Sequence, residues 1–333
     1  MSLRPAVLLL ALAAHAGAVC RVDAQLVRGR VTTPEATPLE GALVELIDMA
    51  GRAWRRTLSR ETGLFAIDGA PTGRFRLRVE RIGYATTHSD PFEIGAADTV
   101  FLPLVASTRA IVLAAIVAES EGRCEVRPAD GRGTAVLWQE ARKALAATQL
   151  AAEEKLLRLR AVRYVRELDP TTHRIRAEQG REIVSFSGSP FASIDVETLI
   201  RDGFAQRAGG EHLLFGPTAD VLLSDAFLDT HCFHVAADED PSLIGLAFEP
   251  LPDRRQPEIR GVLWLSSPGA ELQYIEYEFV NLRVRGRANL YHGRTEMARL
   301  PSGAWAVTRW WIRSPRLIIR VPSTEFEPEV EYV

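Results

Sequence analysis

Lysine and cysteine are both scarce in this chain of 333 residues. Lysine occurs only at Lys143 and Lys155, so arginine supplies nearly all of the positive charge, and genome composition is a sufficient explanation for this bias. The formal net charge of −3 and the sequence pI of about 6.2 provide no electrostatic reason to expect nucleic acid as a partner. With 47% hydrophobic and 25% charged residues, the composition is that of a globular protein long enough for two domains.

The motifs of common enzyme classes are missing as well. No histidine is followed three residues later by glutamate, and H-E-x-x-H is absent, so the ligand set of a zinc carboxypeptidase is not present. The chain also lacks a G-x-S-x-G nucleophile elbow and a glycine-rich phosphate loop after a strand. We therefore expect a non-catalytic protein with no metal and no cofactor. An unrecognised hydrolase is the alternative.

No apolar run favours a retained membrane span. The N-terminus instead carries Arg4, a short Ala-rich apolar run and Val22-Asp23-Ala24, which fits the small-x-small pattern of a signal peptidase site. We interpret residues 1–24 as a cleaved signal peptide with Gln25 as the mature start, and we expect a periplasmic or secreted protein. Lipoprotein anchoring at Cys20 is the alternative, although its flank lacks a leucine three residues before the cysteine and a small residue directly before it.

Short runs of alternating hydrophobicity follow, separated by Gly/Pro turns. Phe75, Leu77 and Val79 point one way while arginines alternate with them, which is the period-2 pattern of a half-buried strand. Further strands are predicted at residues 27–31, 42–48, 64–67 and 98–104. Because such strands recur at short and regular spacing, we expect a β-sandwich over residues 25–106.

This segment also carries five motifs in a fixed order: G-R-V, P-L-x-G-A-x-V, T-G-x-F, P-x-G-x-F-x-L and R-x-G-Y. The order resembles the carboxypeptidase regulatory-like domain. That resemblance implies a small transthyretin-like, starch-binding-like sandwich, found beside zinc carboxypeptidases, at the front of outer-membrane receptors and in bacterial envelope proteins. The resemblance implies a fold and no chemistry, because fold does not define function. Without a catalytic neighbour, we expect a binding or assembly module.

A different pattern begins after a connecting segment at residues 107–133. Residues 134–160 lack Gly and Pro, and Leu137, Ala141 and Leu145 recur at helical spacing, which predicts a long helix with Thr134 as its N-cap. The remaining predicted strands lie at residues 111–117, 162–166, 174–177, 182–186, 212–215, 231–236, 244–248, 258–265, 271–279, 294–300 and 304–312. Short helical or loop insertions are expected at residues 196–202 and 219–223. We therefore expect an α+β domain over residues 134–333, with the helix packed on an antiparallel sheet, in a mainly β protein.

The hairpin at residues 258–279, together with the helix before it, resembles the half-barrel of periplasmic lipoprotein-carrier proteins. This resemblance covers topology alone and implies an apolar, lipid-like ligand. An envelope protein or a glycan is the alternative partner. An empty apolar cavity under the helix would favour the carrier, and a packed interior would argue against it.

Two cysteines remain if the signal peptide is removed. In an oxidising compartment, Cys124 and Cys232 are expected to form a disulfide, and two separate buried thiols are the alternative. Cys232 belongs to His231-Cys232-Phe233-His234, the densest group of possible metal ligands, in which strand alternation places Cys232 and His234 on one face. We interpret this segment as a structural strand, and a zinc or copper site is the alternative.

Aromatic residues concentrate in the last hairpins. By strict alternation, Trp305 and Trp311 share one strand face and Trp310 takes the other. Trp264, Trp305 and Trp311 are therefore candidate ligand-contacting residues of an apolar cavity or a sugar-stacking platform. The favoured interpretation is a hydrophobic core with a half-buried edge.

Overall fold

The computed structural model describes residues 25–96, 98–107, 124–129, 131–155, 158–169, 172, 174–187, 194–208, 211–266, 269–282, 290–301, 304–314, 324–326 and 329–332. Strands predominate over helices, which confirms the mainly β fold. Within these ranges, no helix is both long and apolar enough to cross a membrane. The predicted signal peptide and the strand predicted at residues 111–117 lie outside the described residues.

The N-terminal part is a sandwich of two sheets. Its strands are β1 (Leu26–Thr32), β2 (Leu43–Asp48), β3 (Ala53–Leu58), β4 (Leu64–Asp68), β5 (Gly73–Glu80), β6 (Thr87–His88), β7 (Phe92–Ile94) and β8 (Thr99–Val105). One sheet has the order β4-β1-β8, with β1 and β8 parallel, and the other has the order β3-β2-β5-β6, with β7 also paired to β5. The strands predicted by alternation are confirmed. The pattern did not indicate β3, β6 or β7.

The inward residues of these strands form one hydrophobic core between the sheets, centred on Val44, Leu46, Phe65 and Leu77. Gly29 lies in β1 directly beneath the ring of Phe65. A Cβ at this position would lie 2.1 Å from the carbonyl oxygen of Leu102 and 2.4 Å from Cζ of Phe65. The glycine of the G-R-V motif is therefore required by the close approach of β1 to its neighbours.

A single long helix, α1 (Arg132–Glu153), begins the C-terminal part. The expected N-cap at Thr134 is wrong, because Gly131 caps the helix and the Thr134 hydroxyl donates to the Gly131 carbonyl oxygen at 3.1 Å. The expected end at residue 160 is also wrong, since Lys155 has a positive φ of 51° and a strand begins at Arg158. Residues 158–160 favour helix locally, but pairing along a strand of 11 residues outweighs that preference.

The remaining strands form one large antiparallel sheet and a separate hairpin. They are β9 (Glu125–Val126), β10 (Arg158–Leu168), β11 (Ile175–Ser187), β12 (Ala205–Ala208), β13 (Glu211–Leu214), β14 (His231–Ala237), β15 (Leu243–Pro250), β16 (Glu258–Ser266), β17 (Leu272–Val280), β18 (His292–Arg299), β19 (Trp305–Ser314), β20 (Thr324–Phe326) and β21 (Glu329–Tyr332). The large sheet has the order β11-β10-β20-β19-β18-β17-β16-β15-β14-β9, with β21 paired to β10 and β19, while β12 and β13 form a two-stranded sheet. Two strands predicted at residues 174–177 and 182–186 are one continuous strand, β11. Short helices α2 (Val196–Asp202), α3 (Ala219–Leu222) and α4 (Asp225–Leu228) lie between β11 and β14.

Helix α1 packs on this sheet as expected. Leu137, Ala141 and Leu145 share one core with Phe233, Leu263 and other residues of the inner sheet face. The opposite side of α1 contacts the sandwich, where Leu150 and Ala146 pack against Leu43 of β2. Because both sides of the helix are covered, α1 joins the two domains through a shared hydrophobic contact.

Buried charges fix this contact. Lys143 and Glu140 form an ion pair of 2.6 Å, with their side chains only 4% and 3% exposed. Lys143 also donates to the carbonyl oxygen of Tyr84 at 2.8 Å, and Glu140 accepts from the backbone N–H of Gly83 at 3.1 Å. The side chains of Lys143 and Glu140 therefore anchor α1 to the backbone of the R-x-G-Y turn of the sandwich. Nearby, Arg142 forms an ion pair with Glu80.

Candidate functional site

A cavity lies between the C-terminal half of α1, helix α3 and the inner face of the sheet. Its volume is about 200 Å³. The apolar residues of its wall are Leu145, Ala152, Pro217, Ala219, Ile275, Met297 and Val307. The polar residues of its lining are Thr148, Gln149, Glu153, Thr218, Asp220 and Thr295. A cavity therefore lies under the predicted helix, and its lining is partly apolar and partly polar.

Short side chains on α1 produce this cavity. Thr148 and Gln149 follow Leu145 by three and four residues, and Ala152 follows them by four and three, so all of them lie on one helix face. The Thr148 hydroxyl donates to the Ala144 carbonyl oxygen at 2.9 Å, which satisfies its polar group within the helix. Because Thr148 and Ala152 are small, this face does not fill the space above Ile275 and Val307. The sequence predicts this helix face, but no sequence pattern predicts the unfilled volume beneath it.

None of the three candidate tryptophans lines this cavity. Trp305 is 5% exposed and belongs to the main core. Trp264 is 7% exposed and lies beside Tyr274, with ring centroids 6.4 Å apart, and Trp311 lines a groove on the opposite face of the sheet. The favoured interpretation, in which these residues build core and edge, agrees with the positions of Trp264 and Trp305.

The expectation that Trp305 and Trp311 share a strand face is wrong. The register of β18 and β19 shifts between the pairs Glu296–Arg309 and Met297–Val307, so Thr308 is an extra residue in β19. A bulge of one residue reverses the facing of every following side chain. As a result, Trp310 packs against the core together with Trp305, while Trp311 points to the outer face.

The groove on the outer face is wide and charged, with a volume of about 650 Å³. Its residues are His234, Ala247, Phe248, Glu249, Arg260, Gly261, Val262, Glu276, Tyr277, Glu278, His292, Gly293 and Trp311. Arg260 pairs with Glu278 at 2.5 Å, and Arg294 pairs with Glu276 at 3.0 Å. The two acidic positions of β17 are therefore part of ion pairs on a solvated face.

The expected disulfide joins Cys124 and Cys232, whose Cα atoms are 5.2 Å apart. Cys124 precedes β9, and β9 pairs with β14 at Cys232 and Phe233. The bond closes a loop of 108 residues and holds the strand before α1 at the edge of the large sheet. Chain entropy favours such a bond by about 4–5 kcal/mol.

His231 and His234 take different positions. The side chain of His231 is fully buried beside Glu258, stacks on Phe227 with ring centroids 3.8 Å apart, and lines neither cavity. His234 lies in the open groove beside Glu249. Burial lowers the pKa of His231 to about 4. A histidine in such a site does not reach a substrate, so His231 is not the base of a hydrolase in this conformation.

Burial also raises the pKa of Glu258 to about 7, although the guanidinium of Arg254, which donates to Oε1 at 2.8 Å, opposes the shift. Among the residues that the structure describes, Oε2 of the same carboxyl has no hydrogen-bond partner, and it faces Nε2 of His231 at 3.7 Å. The sequence pattern did not indicate this pair, because the two residues are far apart along the chain and both occur in ordinary strand segments.

A comparison with known protein families supports the assignment of the N-terminal sandwich. Residues 26–105 match the model of the carboxypeptidase regulatory-like domain, so the sandwich is such a domain, as its motifs indicated. A comparison with curated proteins finds no relative of the chain.

Solved structures resemble this chain at a low level. They include a streptococcal ancillary pilin (10% identity, TM-score 0.24, 91% of this chain and 62% of that one) and the Bacillus anthracis TIE protein (9%, 0.24, 93% and 48%). Hydroxyquinol 1,2-dioxygenase from Pseudomonas putida DLL-E4 shows 15% identity and a TM-score of 0.19, over 26% of this chain and 57% of that one. The chain thus spans less than two thirds of the length of each of these structures.

Proposed function

We propose that this protein is an exported, non-catalytic envelope protein whose C-terminal domain binds a small apolar ligand beneath α1. The observation that carries this proposal is the cavity of about 200 Å³ lined by Leu145, Ala152, Ile275, Met297 and Val307. The sandwich has an assembly role within the chain, because its contacts with Lys143, Glu140 and Leu150 hold α1 above the cavity. Export rests on the N-terminal signal pattern and on a disulfide typical of oxidising compartments.

The cavity volume limits the ligand. A dry apolar cavity of about 150 Å³ accepts benzene, so a cavity of about 200 Å³ accommodates one aromatic ring or a short alkyl segment. Burying about six methylene groups contributes roughly 5 kcal/mol, which corresponds to a dissociation constant on the order of 0.1–1 mM. A larger ligand would place one apolar end in the cavity and its remainder outside.

Charges near the cavity select the polar end of this ligand. Asp220 and Glu153 both line the site, and Glu153 pairs with Arg56 of the sandwich. A ligand carboxylate would lie near two acidic side chains, which disfavours a free fatty acid. We therefore expect a neutral or cationic polar end, such as an alcohol or an amine.

Isothermal titration calorimetry with 1-hexanol, hexylamine and hexanoate tests this proposal. We expect hexanol and hexylamine to bind at one site and hexanoate to bind at least about tenfold more weakly. The variant Ala152→Leu adds a side chain inside the cavity and is expected to abolish binding while retaining the fold. Ala66→Leu makes the same chemical change at an exposed position of β4 and serves as the control. Equal binding by the wild type and Ala152→Leu, or no binding of any probe, would refute the proposal.

A further inference from the structure

The disulfide lies next to a histidine and a carboxylate. Cys124, His234 and Glu249 each offer one ligand atom, and these atoms all lie within 4.8 Å of one another. Oε1 of Glu249 is 3.3 Å from Sγ of Cys124 and 3.9 Å from Sγ of Cys232. The ligand atoms of Cys124, His234 and Glu249 therefore form one cluster at the edge of the outer groove, and Sγ of Cys232 lies beside it through its bond to Cys124.

Three neighbouring strands position these groups. Cys232 and His234 are two residues apart in β14, so both side chains leave the same sheet face. Glu249 of β15 is directly opposite Cys232 in the strand register, and His234 is opposite Ala247. Cys124 arrives from the residue before β9, the strand that pairs with β14 on its other side. The arrangement is thus built by sheet registry and does not depend on a mobile loop.

We propose that Cys124, Cys232, His234 and Glu249 form a zinc site when the disulfide is reduced. With the disulfide intact, neither sulfur is a thiolate, and two ligands, an imidazole and a carboxylate, remain. A dithiol reductant transfers two electrons and two protons to the S–S bond and is itself oxidised to a disulfide, which leaves two cysteine thiols. Binding of Zn²⁺ then displaces both thiol protons and completes a set of two thiolates, one imidazole and one carboxylate.

The types of ligand atom in this cluster favour a particular metal. Zinc accepts sulfur, nitrogen and oxygen ligands in tetrahedral geometry at about 2.0–2.3 Å, which places ligand atoms roughly 3.5–4 Å from each other. The present span of 4.8 Å between the atoms of Cys124, His234 and Glu249 therefore requires a contraction of about 1 Å, while the two bonded sulfurs must move apart after reduction. Copper(I) prefers thiolates alone, and magnesium or calcium prefers oxygen, so the mixed set favours zinc. The disulfide would thus gate metal binding by the redox state of the protein.

Metal titration of the full mature chain tests this inference. The protein is reduced with a dithiol under anaerobic conditions, desalted, and titrated with Zn²⁺ in competition with a zinc indicator, and the oxidised protein is titrated in parallel. We expect one equivalent of Zn²⁺ in the reduced protein and at least about tenfold weaker binding in the oxidised protein. Titration with Co²⁺ should give the charge-transfer absorption of thiolate–cobalt bonds only after reduction.

Three variants separate a built site from adventitious binding by free thiols. His234→Ala and Glu249→Gln leave both cysteines in place and are expected to weaken Zn²⁺ binding by at least about tenfold. His292→Ala removes the other histidine of the groove and should bind as the wild type does. If the reduced apoprotein loses its circular dichroism signal, Zn²⁺ must restore that signal for the proposal to stand. The proposal is overturned if His234→Ala and Glu249→Gln bind Zn²⁺ as tightly as the wild type, or if His292→Ala loses as much affinity as they do. It is also overturned if the reduced, folded protein binds less than one equivalent of Zn²⁺.

Discussion

The imidazole of His231 and the carboxyl of Glu258 face each other inside the C-terminal domain, with Nε2 and Oε2 separated by 3.7 Å and both side chains fully buried. Nδ1 of His231 lies 3.1 Å from the carbonyl oxygen of Phe227, which favours the tautomer that carries its proton on Nδ1. Nε2 is then an acceptor that faces the carboxyl. A proton on Oε2 of Glu258 removes the repulsion between two lone pairs, which agrees with the raised pKa of this carboxyl.

The first prediction concerns the pH dependence of folding stability. Between pH 4.5 and 6.5 the folded pair holds one proton on Glu258, whose pKa is about 7, while the unfolded chain holds one proton on His231, whose unperturbed pKa is 6.5. Because both states bind the same number of protons, the pair contributes no slope to the stability in this range. Replacing either residue should therefore leave a pH-dependent stability that is caused by the residue that remains.

In Glu258→Gln, His231 remains with a lowered pKa of about 4, so stability is present above pH 6.5 and is lost as the pH falls toward 4. In His231→Gln, Glu258 remains with a raised pKa of about 7, so stability is present below pH 4.5 and is lost as the pH rises through 7. Relative to wild type, the two slopes should have opposite signs and approach about 1.4 kcal/mol per pH unit. Urea unfolding from pH 4.5 to 7, with the disulfide intact and a chelator present, measures them. Parallel curves for all three proteins would contradict the assignment.

The second prediction concerns the contact between α1 and the sandwich. Lys143→Met leaves Glu140 buried with, among the described residues, only the Gly83 N–H as a partner, so we expect a loss of about 3–5 kcal/mol in the free energy of unfolding. The double variant Glu140→Met/Lys143→Met should lose less than the sum of the two single variants, because no charge is left buried without its partner. Lys155→Met, the same change at the other lysine of the chain, is exposed and should cost less than about 0.5 kcal/mol. A cost at Lys155 equal to that at Lys143 would show that the buried pair is unimportant.

The third prediction concerns Gly29. A methyl group at this position would lie 2.1 Å from a backbone oxygen of β8, which cannot move without shifting the strand. We expect Gly29→Ala to destabilise the sandwich by about 1–3 kcal/mol, measured by thermal unfolding. Arg30→Ala, which truncates the exposed neighbouring residue, is the control and should be nearly neutral. Wild-type stability of Gly29→Ala would mean that β1 and β8 are farther apart than described.

The fourth prediction concerns the disulfide. Reduction of the wild type, or the double variant Cys124→Ala/Cys232→Ala, should lower the free energy of unfolding by about 2–5 kcal/mol in the presence of a chelator. The two treatments should agree, because both release the same loop from its constraint in the unfolded chain. An unchanged denaturation midpoint after complete reduction would show that the bond contributes no net stability through the unfolded chain.

Much of the architecture could be predicted from the sequence. Alternation and turn residues located most strands of the sandwich, the hairpin at residues 258–279 and the hairpin of β18 and β19, because a half-buried strand repeats every two residues. The segment at residues 196–202, expected as a short helical or loop insertion, is helix α2, and Asp195 is its N-cap, whose carboxylate accepts from the Thr198 N–H. The pairing of Cys124 with Cys232 was predicted from the oxidising compartment and from the two cysteines that remain after the signal peptide.

Three features depended on tertiary structure. Helix α1 ends at Glu153 because the next residues pair in a sheet whose partners lie far along the chain. The extra residue at Thr308 turned Trp311 to the other face, and no local pattern marks such a bulge. The cavity beneath Thr148 and Ala152 exists because their small side chains lie opposite a particular part of the sheet.

The sequence by itself determined a carboxypeptidase regulatory-like sandwich, a long helix and an antiparallel sheet, because these follow from periodicity, turns and motif order within short windows. Only the tertiary structure decided where that helix lies, which volume it leaves open, and that Cys124, His234 and Glu249 meet at one point. The physical reason is the range of the interactions. Hydrophobic periodicity is a local property, whereas the cavity and the ligand cluster arise from contacts between segments that are far apart along the chain.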